Sequence, residues 1–562
     1  MKSEAKSEVI HIEDRNSEPT INLALDTILI KKQCIIFVNT KRSAESIAEK
    51  ISQTISKDKK HHYQSNIDLE KLNEISNQIL KVLPSPTKQC HRLADLVKYG
   101  IAFHHSGLVS EQRKLIEENF KNGLVKIIVA TPTLAMGVDL PAFRVIIRDL
   151  KRYGLWGMQY IPVLEYEQQA GRAGRPSYDT YGEAICITDS KSDKQEIKDM
   201  YINGVPEPIV SKLAVEPIMR TYILSLIASE FIRTSGELEE FFEETFYAKH
   251  YGDTEKLRQI IYRMTDQLEE WGFVNVGDDG NAGEGKKIFD KATNFVTALK
   301  LAYIKSEEKS KEKLSATLLG HRVSELYLDP YTAHEIIMSL KVGLKKKSDN
   351  LFDSYSLMHL VCGCLELRPL LRVKSREVDD FVEKMNQKSE YLLSEVPEMF
   401  DEDYEEFLNT IKTTEFFIEW LDEKDEEYLL EKYDVRPGEL HAKKERADWL
   451  LYSSEELSKL LRMQVLMKDI AKLRFRLKYG AKEELIPLLQ LKNIGRIRAR
   501  KMFDNRIKDI SDVKRVDLTT LAQLLGKTVA LDIKKQVGQE LSEEKQKISE
   551  NKRKGQINLD DY

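Results

Sequence analysis

Between residues 33 and 188 the chain repeats one pattern: a short apolar run, a polar turn, then an amphipathic stretch. "QCIIFVNT" (33–40) leads into "KRSAESIAEKIS" (41–52), and "YGIAFHHSGL" (99–108) into "SEQRKLIEENFKNG" (110–123). "VKIIVATPTLAMGVDLP" (125–141) ends in a Gly/Pro loop, and "RVIIRDL" (144–150) and "GEAICIT" (182–188) add two more apolar runs. Short continuous apolar runs suit strands covered on both faces, and their alternation with helices implies a parallel α/β sheet. Functional loops are then expected at the strand ends.

The pattern stops near residue 195, and a helical one replaces it. In "KLRQIIYRMTDQLEEWGFV" (256–274), Leu257, Ile260, Ile261, Met264, Leu268 and Trp271 recur at helical spacing before Gly272 ends the helix. A helix running into a short β-like "FVNV" is expected to be the third helix and wing of a winged-helix module. The boundaries read as an α/β domain over 1–195, a winged helix over 196–328 with an insertion at 277–312, a helical bundle over 329–484, two helical hairpins over 485–540 and a charged tail over 541–562.

At 562 residues, 41% hydrophobic and 32% charged, the chain has the material for about four domains. No apolar run is long enough to span a membrane and no signal peptide is evident, so a cytoplasmic, nucleoid-associated protein is expected. Five scattered cysteines do not make a disulfide framework, and Cys362-x-Cys364 has no second ligand pair, so no metal site is expected. The net charge of −5 hides an asymmetry. Residues 375–440 carry about fifteen more acids than bases, and residues 441–555 about twelve more bases than acids. A basic C-terminal third behind an acidic block suggests one surface for polyanions and one that repels them.

"EYEQQAGRAGRP" (165–176) places two arginines three apart, each directly behind a glycine, as phosphate-facing arginines often are. Together with "IIFVNTKRSAESIA", "AFHHSGL" and "VATPTLAMGVDLPA", in that order, it resembles motifs VI, IV, IVa and V of the second RecA-like domain of superfamily 2 helicases. The likeness is to the ski-two-like branch and most of all to archaeal DNA repair helicases. It implies that Gln168, Arg172 and Arg175 face the γ-phosphate of ATP, where guanidinium groups stabilise the transferring phosphoryl group. It also implies Gly137 and Asp139 at the ATP cleft and Thr131 on the nucleic-acid backbone. Ser106 and Gly107 suit phosphate contact through a hydroxyl and a close backbone N–H.

Between motifs V and VI, "VIIRDLKRYGLWGMQYIPVLEY" (145–166) flanks the tip Gly154-Leu155-Trp156-Gly157 with strand-like runs. The resemblance implies a duplex-splitting β-hairpin with Trp156 as its wedge. The likeness continues over residues 8–540. "KKERADWLLYSSEEL" (443–457) is similar to the ratchet helix, with Trp449 stacking on a base and Lys443 and Arg446 as phosphate contacts; Ala442 stands where another arginine is expected. "LKNIGRIRARKMF" (491–503) matches a helix-hairpin-helix, in which Gly495 gives the turn and Arg496, Arg498 and Arg500 add charge. Gly526 and Lys527 belong to its companion hairpin. Gln556, Leu559 and Tyr562 at the C-terminus fit the Q-x-x-h-x-x-aromatic pattern of a sliding-clamp peptide.

No G-x-x-x-x-G-K-[ST] and no D-E-x-H sequence occurs in the 562 residues; "LAQLLGKT" (521–528) lacks the first glycine. ATP and Mg²⁺ would therefore be held mainly by a first RecA-like domain, expected on a separate chain or lost through a gene break. The implied function is the C-terminal portion of a 3′-to-5′ DNA helicase acting on forks and single-stranded tails. The alternatives are a non-catalytic DNA-binding accessory and an RNA helicase of the same branch.

Overall fold

The computed structural model describes residues 10–57, 68–154, 157–175, 179–188, 190–213, 215–252, 254–277 and 312–539. Its contacts divide the chain into two compact units, Met1–Val210 with Glu426–Lys443, and Ser211–Asp425 with Lys444–Tyr562.

The first unit is built on five parallel strands, β1 (Cys34–Phe37), β2 (Ile101–His104), β3 (Ile127–Ala130), β4 (Arg144–Ile147) and β7 (Glu183–Cys186). Their order in the sheet is β2-β3-β1-β4-β7. Cys34 pairs in register with Ile127 on one side and Arg144 on the other. Every residue of β1 to β4 is buried, which is why these strands read as apolar runs, with only His104 and Arg144 polar at their ends. Helices α1 (Pro19–Leu29), α2 (Lys41–Lys57), α3 (Leu69–Lys81), α4 (Lys88–Val97) and α5 (Ser110–Lys121) surround the sheet. In α2, Ala44, Ile47, Ala48, Ile51 and Ile55 are buried, the spacing of one helical face.

Between β4 and helix α6 (Val163–Ala170) stands an antiparallel hairpin, β5 (Lys151–Gly154) with β6 (Gly157–Tyr160). Gly154 pairs with Gly157, whose φ of +96° favours glycine at the turn. The hairpin is exposed along its length, with Tyr153 and Met158 facing solvent. Segment Glu426–Lys443 lies inside the stretch read as a bundle, yet it packs in this first unit.

The second unit begins with helices Glu216–Ala228, Ser235–Glu243, Phe246–Tyr251 and Thr254–Glu270, followed by a two-stranded ribbon of β8 (Val274–Val276) and β9 (Leu314–Ala316). Leu257, Ile261, Met264 and Leu268 are fully buried, while Ile260 is half-buried. Gly272 ends the helix with φ +74°. The expected insertion lies almost wholly outside the described residues. Long helices follow, among them Pro330–Ser348, Ser354–Gly363, Tyr404–Leu421, Gln464–Tyr479 and most of Pro437–Leu460. The last part packs short helices around Leu485, Leu488, Ala499, Met502, Leu521, Ala530 and Ile533. Among the described residues no helix is long and apolar enough to cross a membrane.

Candidate functional site

The loops at the carboxyl ends of β1, β2 and β3 converge on an open cleft of about 570 Å³. Asn39–Arg42 follow β1, Ser106 follows β2, and Thr131–Thr133 follow β3; Arg152 of the hairpin completes this wall. Ligands of open α/β sheets bind outside such strand ends. Ser106 is exposed, and Thr131 is mostly buried, with Oγ1 3.0 Å from Thr133 Oγ1. The structure thus brings Ser106 and Thr131 together, and the same cleft carries the cations Lys41, Arg42, Arg152 and Arg436. Two of them face acids of the 434–439 segment: Arg42 is 2.8 Å from Asp434, and Lys41 pairs with Glu439.

Gly107 departs from expectation. It is buried, its N–H donates to His105 Nδ1 at 3.1 Å, and its carbonyl accepts from Gly438 N at 3.0 Å. Its amide is therefore not offered to a phosphate. What its lack of a side chain provides is room: a Cβ there would lie 2.3 Å from Cδ of Arg436. Arg436 is buried and donates through Nε to Glu45 Oε1 at 3.1 Å. Glu45 also binds Arg92 at 2.6 Å and lies 3.2 Å from His105 Nε2. Burial alone would raise the Glu45 carboxyl, but His105, Arg436 and Arg92 outweigh it and hold it at about 2. Burial lowers the His105 imidazole, against the opposing pull of the Glu45 carboxylate.

After α6 the chain turns through Gly171–Arg175. Arg172 O accepts from Ala142 N at 2.9 Å and Gly174 N donates to Ala142 O at 2.6 Å, so the backbone is fixed against the end of motif V. Arg172 Nη2 donates to Ala135 O at 2.5 Å, and Nη1 is 3.8 Å from Asp139, whose carboxylate is almost wholly exposed. Gly137, with φ +83°, forms the open turn between them. Arg172, Gly137 and Asp139 are thus gathered. Gln168 is exposed on α6.

Arg175 keeps other company. Its Nε and Nη2 donate to the two oxygens of Asp179 at 2.7 and 3.2 Å, and Nη1 donates to Gln33 Oε1 at 2.6 Å. Lys32 reaches the same carboxylate at 2.6 Å. The Arg175 and Lys32 bonds hold Asp179 at about 2. A bidentate guanidinium–carboxylate pair of this kind is an anchor. Arg175 in this structure is engaged as one.

In the second unit Trp449 is half-buried and its Nε1 donates to Leu326 O at 3.1 Å. Arg446 is exposed and donates to Arg368 O at 2.7 Å, and Lys443 is half-buried. Gly495 and Gly526 each head a helix, Arg496–Asp504 and Lys527–Gln536, without a side-chain cap. Such helix starts leave backbone N–H groups for an anion. The arginines behind Gly495 divide by helical spacing. Arg496 lies 4.3 Å over the Trp420 ring and donates to Lys424 O. Arg500 binds both oxygens of Glu423, at 2.8 and 2.6 Å, and also Glu484 at 2.7 Å. Arg498 points to solvent, bonded to Asn493 O at 2.8 Å, and Lys527 is exposed.

Residues 68–177 match the sequence family described as "Helicase conserved C-terminal domain", and residues 355–480 the family "Archaeal helicase, domain 4". The chain is 36% identical over 537 residues to the ATP-dependent DNA helicase Hel308 of Methanococcus vannielii, covering 92% of this chain and 68% of that protein. Against the Hel308 proteins of Methanocella arvoryzae and Pyrococcus horikoshii, identity is 33% over 541 and 538 residues, covering 95% of this chain and 67% of each. The chain belongs to the Hel308 family of ATP-dependent DNA helicases. It spans about two thirds of the length of these relatives.

On this Hel308 framework, sequence reading missed Lys41, Arg42, Arg152, Arg436 and Gly438. The first two stand inside the quoted motif IV and were legible as charges beside a strand end. Arg436 and Gly438 carry no local signal. The hairpin tip with Trp156, and Gln556, Leu559 and Tyr562 of the clamp-like tail, lie outside the described residues.

Proposed function

We propose that this chain forms the second RecA-like, winged-helix, ratchet and helix-hairpin-helix portion of a 3′-to-5′ DNA helicase for forked DNA. In this reading the carboxyl-edge cleft holds the backbone of the tracking strand. Ser106 and Thr131 bond its phosphates, and Lys41, Arg42 and Arg152 supply charge. The β5–β6 hairpin parts the duplex, Trp449 stacks on a base, and the open helix starts at Gly495 and Gly526 grip phosphates beyond it.

ATP and Mg²⁺ are held mainly by a first RecA-like domain with G-x-x-x-x-G-K-[ST] and D-E-x-H sequences, acting in trans on the arginine side of the cleft. Arg172 fits that side: its guanidinium is partly exposed, positioned by a carbonyl and weakly paired to an exposed carboxylate. A γ-phosphate would compete readily for it, and its charge would stabilise the transferring group.

One observation carries the reading. A single loop, 131–139, lines the nucleic-acid cleft with Thr131 and Thr133 and holds Arg172 with Ala135 and Asp139. A change at one end of so short a loop moves the other, as coupling of hydrolysis to stepping requires. The test is fork-dependent ATP hydrolysis by the chain alone and mixed with a separately produced first RecA-like domain. Activity only in the mixture supports the motor. Silence in both, with salt-sensitive fork binding retained, leaves a non-catalytic DNA-binding accessory, and preference for RNA forks would move the chain to the RNA branch.

A further inference from the structure

We infer that Arg436 is a positioning residue for DNA: it sets the His105–Leu108 turn so that the Ser106 hydroxyl faces the cleft. The inference rests on the DNA-cleft reading above and goes beyond it, because Arg436 lies some 330 residues from the turn it holds.

Three contacts converge on the turn. The Arg436 side chain lies against Gly107, close enough that a single added methyl would collide with its Cδ and Cβ, at 2.3 and 3.0 Å. Gly438, two residues on, donates its N–H to Gly107 O at 3.0 Å. A Cβ on Gly438 would in turn meet Leu108 O at 2.4 Å and Ser106 O at 2.6 Å, so the backbones approach as nearly as two backbones can. Both glycines are required by contact rather than by conformation, since neither has a positive φ.

The guanidinium is fixed from its far side. Glu45 of α2 accepts from Arg436 Nε and also holds Arg92 and faces His105, whose other ring nitrogen takes the Gly107 N–H. A closed circuit results, from Arg436 to Glu45, His105, Gly107 and back to Arg436. Within the turn, the Gly107 N–H and carbonyl, His105 Nδ1 and the His105 carbonyl are engaged inward. Ser106 is left exposed at the cleft wall, beside Thr131 and Lys41. A buried network of groups packed this closely favours one arrangement of its members. Here the fixed arrangement presents one hydroxyl.

The test measures fork-DNA affinity by fluorescence anisotropy, with the full chain, for wild type, Ser106→Ala, Arg436→Gln and the double variant. Thermal melting of each is recorded alongside. Arg436→Gln and Ser106→Ala are each expected to weaken binding about 3- to 10-fold, and the double variant to be no weaker than the worse single one. Multiplying effects in the double variant would overturn the inference. If Arg436→Gln melts early, Gly107→Ala takes its place: it keeps every charge and presses hardest on the arginine, at 2.3 Å from Cδ, with His105 Nδ1 met at 3.0 Å, so it should reproduce the loss. Normal affinity in Gly107→Ala and in any folded Arg436→Gln, with Ser106→Ala weakened, would sink the positioning role alone. Normal affinity in Ser106→Ala would sink the cleft reading with it.

Discussion

Two glycine-led arginine clusters, one in each unit, use the same chemistry on different backbones. In Gly171–Arg175 the arginines sit on a turn, and in Gly495–Arg500 they ride a helix. Each cluster has one guanidinium clamped by carboxylates: Arg175 by Asp179, and Arg500 by Glu423 and Glu484. Each also has one held loosely: Arg172 by a carbonyl and an exposed Asp139, and Arg498 by the carbonyl of Asn493. The helix sorts its arginines by angle, since residues four apart share a face and the one between them points away. The turn sorts them by which loops it touches. Both solutions clamp one arginine and leave another loosely held; in the proposed function the loosely held one meets a phosphate.

The sharpest way to break this comparison is to remove the two arginines of the turn separately. Arg172→Ala should lower fork-dependent ATP hydrolysis, measured with a first RecA-like domain added, by about 10³-fold or more, with unchanged melting. Arg175→Ala should instead destabilise the first unit by about 3 kcal/mol, because it leaves a buried Asp179 with Lys32 alone. If Arg175→Ala removes hydrolysis and leaves calorimetric unfolding unchanged, the assignment of anchor and finger is reversed.

How far the sequence could have foretold this differs from contact to contact. The sheet was legible because strands covered on both faces leave continuous apolar runs, and β1 to β4 are such runs. The turn between β5 and β6 was legible from its paired glycines. The Arg175–Asp179 pair lies four residues apart and could have been read, but Gln33, which completes the clamp, is 142 residues away. The contacts of the 426–443 segment were illegible for the same reason. Leu429, Tyr433 and Leu440 are buried as they would be in any bundle helix. The segment's partners in the first unit include Glu45, bonded to Arg436 from 391 residues away, and Gly107, bonded to Gly438. Periodicity records which face is buried and carries no information on what buries it. The Gly107 contact turns on a still finer point: an imidazole two residues earlier takes the amide.

Acid should distinguish the carboxylate-clamped regions from the rest. Glu45 and Asp179 are each held at about 2, below the ordinary carboxylate range. Groups so lowered stabilise the fold above their unfolded values near 4, and that contribution is lost as pH falls through the folded value. Between pH 4.5 and 2 the first unit should lose roughly 3 kcal/mol through Glu45. Urea unfolding at stepped pH would show it, and Glu45→Gln should flatten the slope. A slope unchanged by Glu45→Gln would mean the carboxylate is not coupled to Arg436 and Arg92 as described.

In the helix cluster the expected effects are smaller. Arg498→Ala should weaken fork binding a few-fold and reduce the slope of log affinity against log salt by about 1, the signature of one lost phosphate contact. Arg500→Ala should leave that slope nearly intact and lower the melting temperature, since Glu423 and Glu484 lose their partner. Equal salt slopes in Arg498→Ala and wild type would show that this cluster sorts its arginines by angle for packing alone.

The smallest effect has an unusual sign. Asp434 and Glu439 face Arg42 and Lys41 across the cleft, so a DNA phosphate arriving there must compete with carboxylates of the same chain. Arg42–Asp434 is largely exposed and Lys41–Glu439 partly buried, and pairs of this kind contribute about 0–1 kcal/mol each. Asp434→Asn with Glu439→Gln should therefore tighten fork binding about two- to fivefold at low salt, with the gain fading as salt rises. Arg436, on the same segment, should act in the opposite direction. Opposite signs from residues two and three apart cannot arise from general loosening of the segment, which would weaken binding in every variant. Weaker binding in the double variant would mean that Asp434 and Glu439 hold the cleft open, and that Lys41 and Arg42 are there for the protein rather than for DNA.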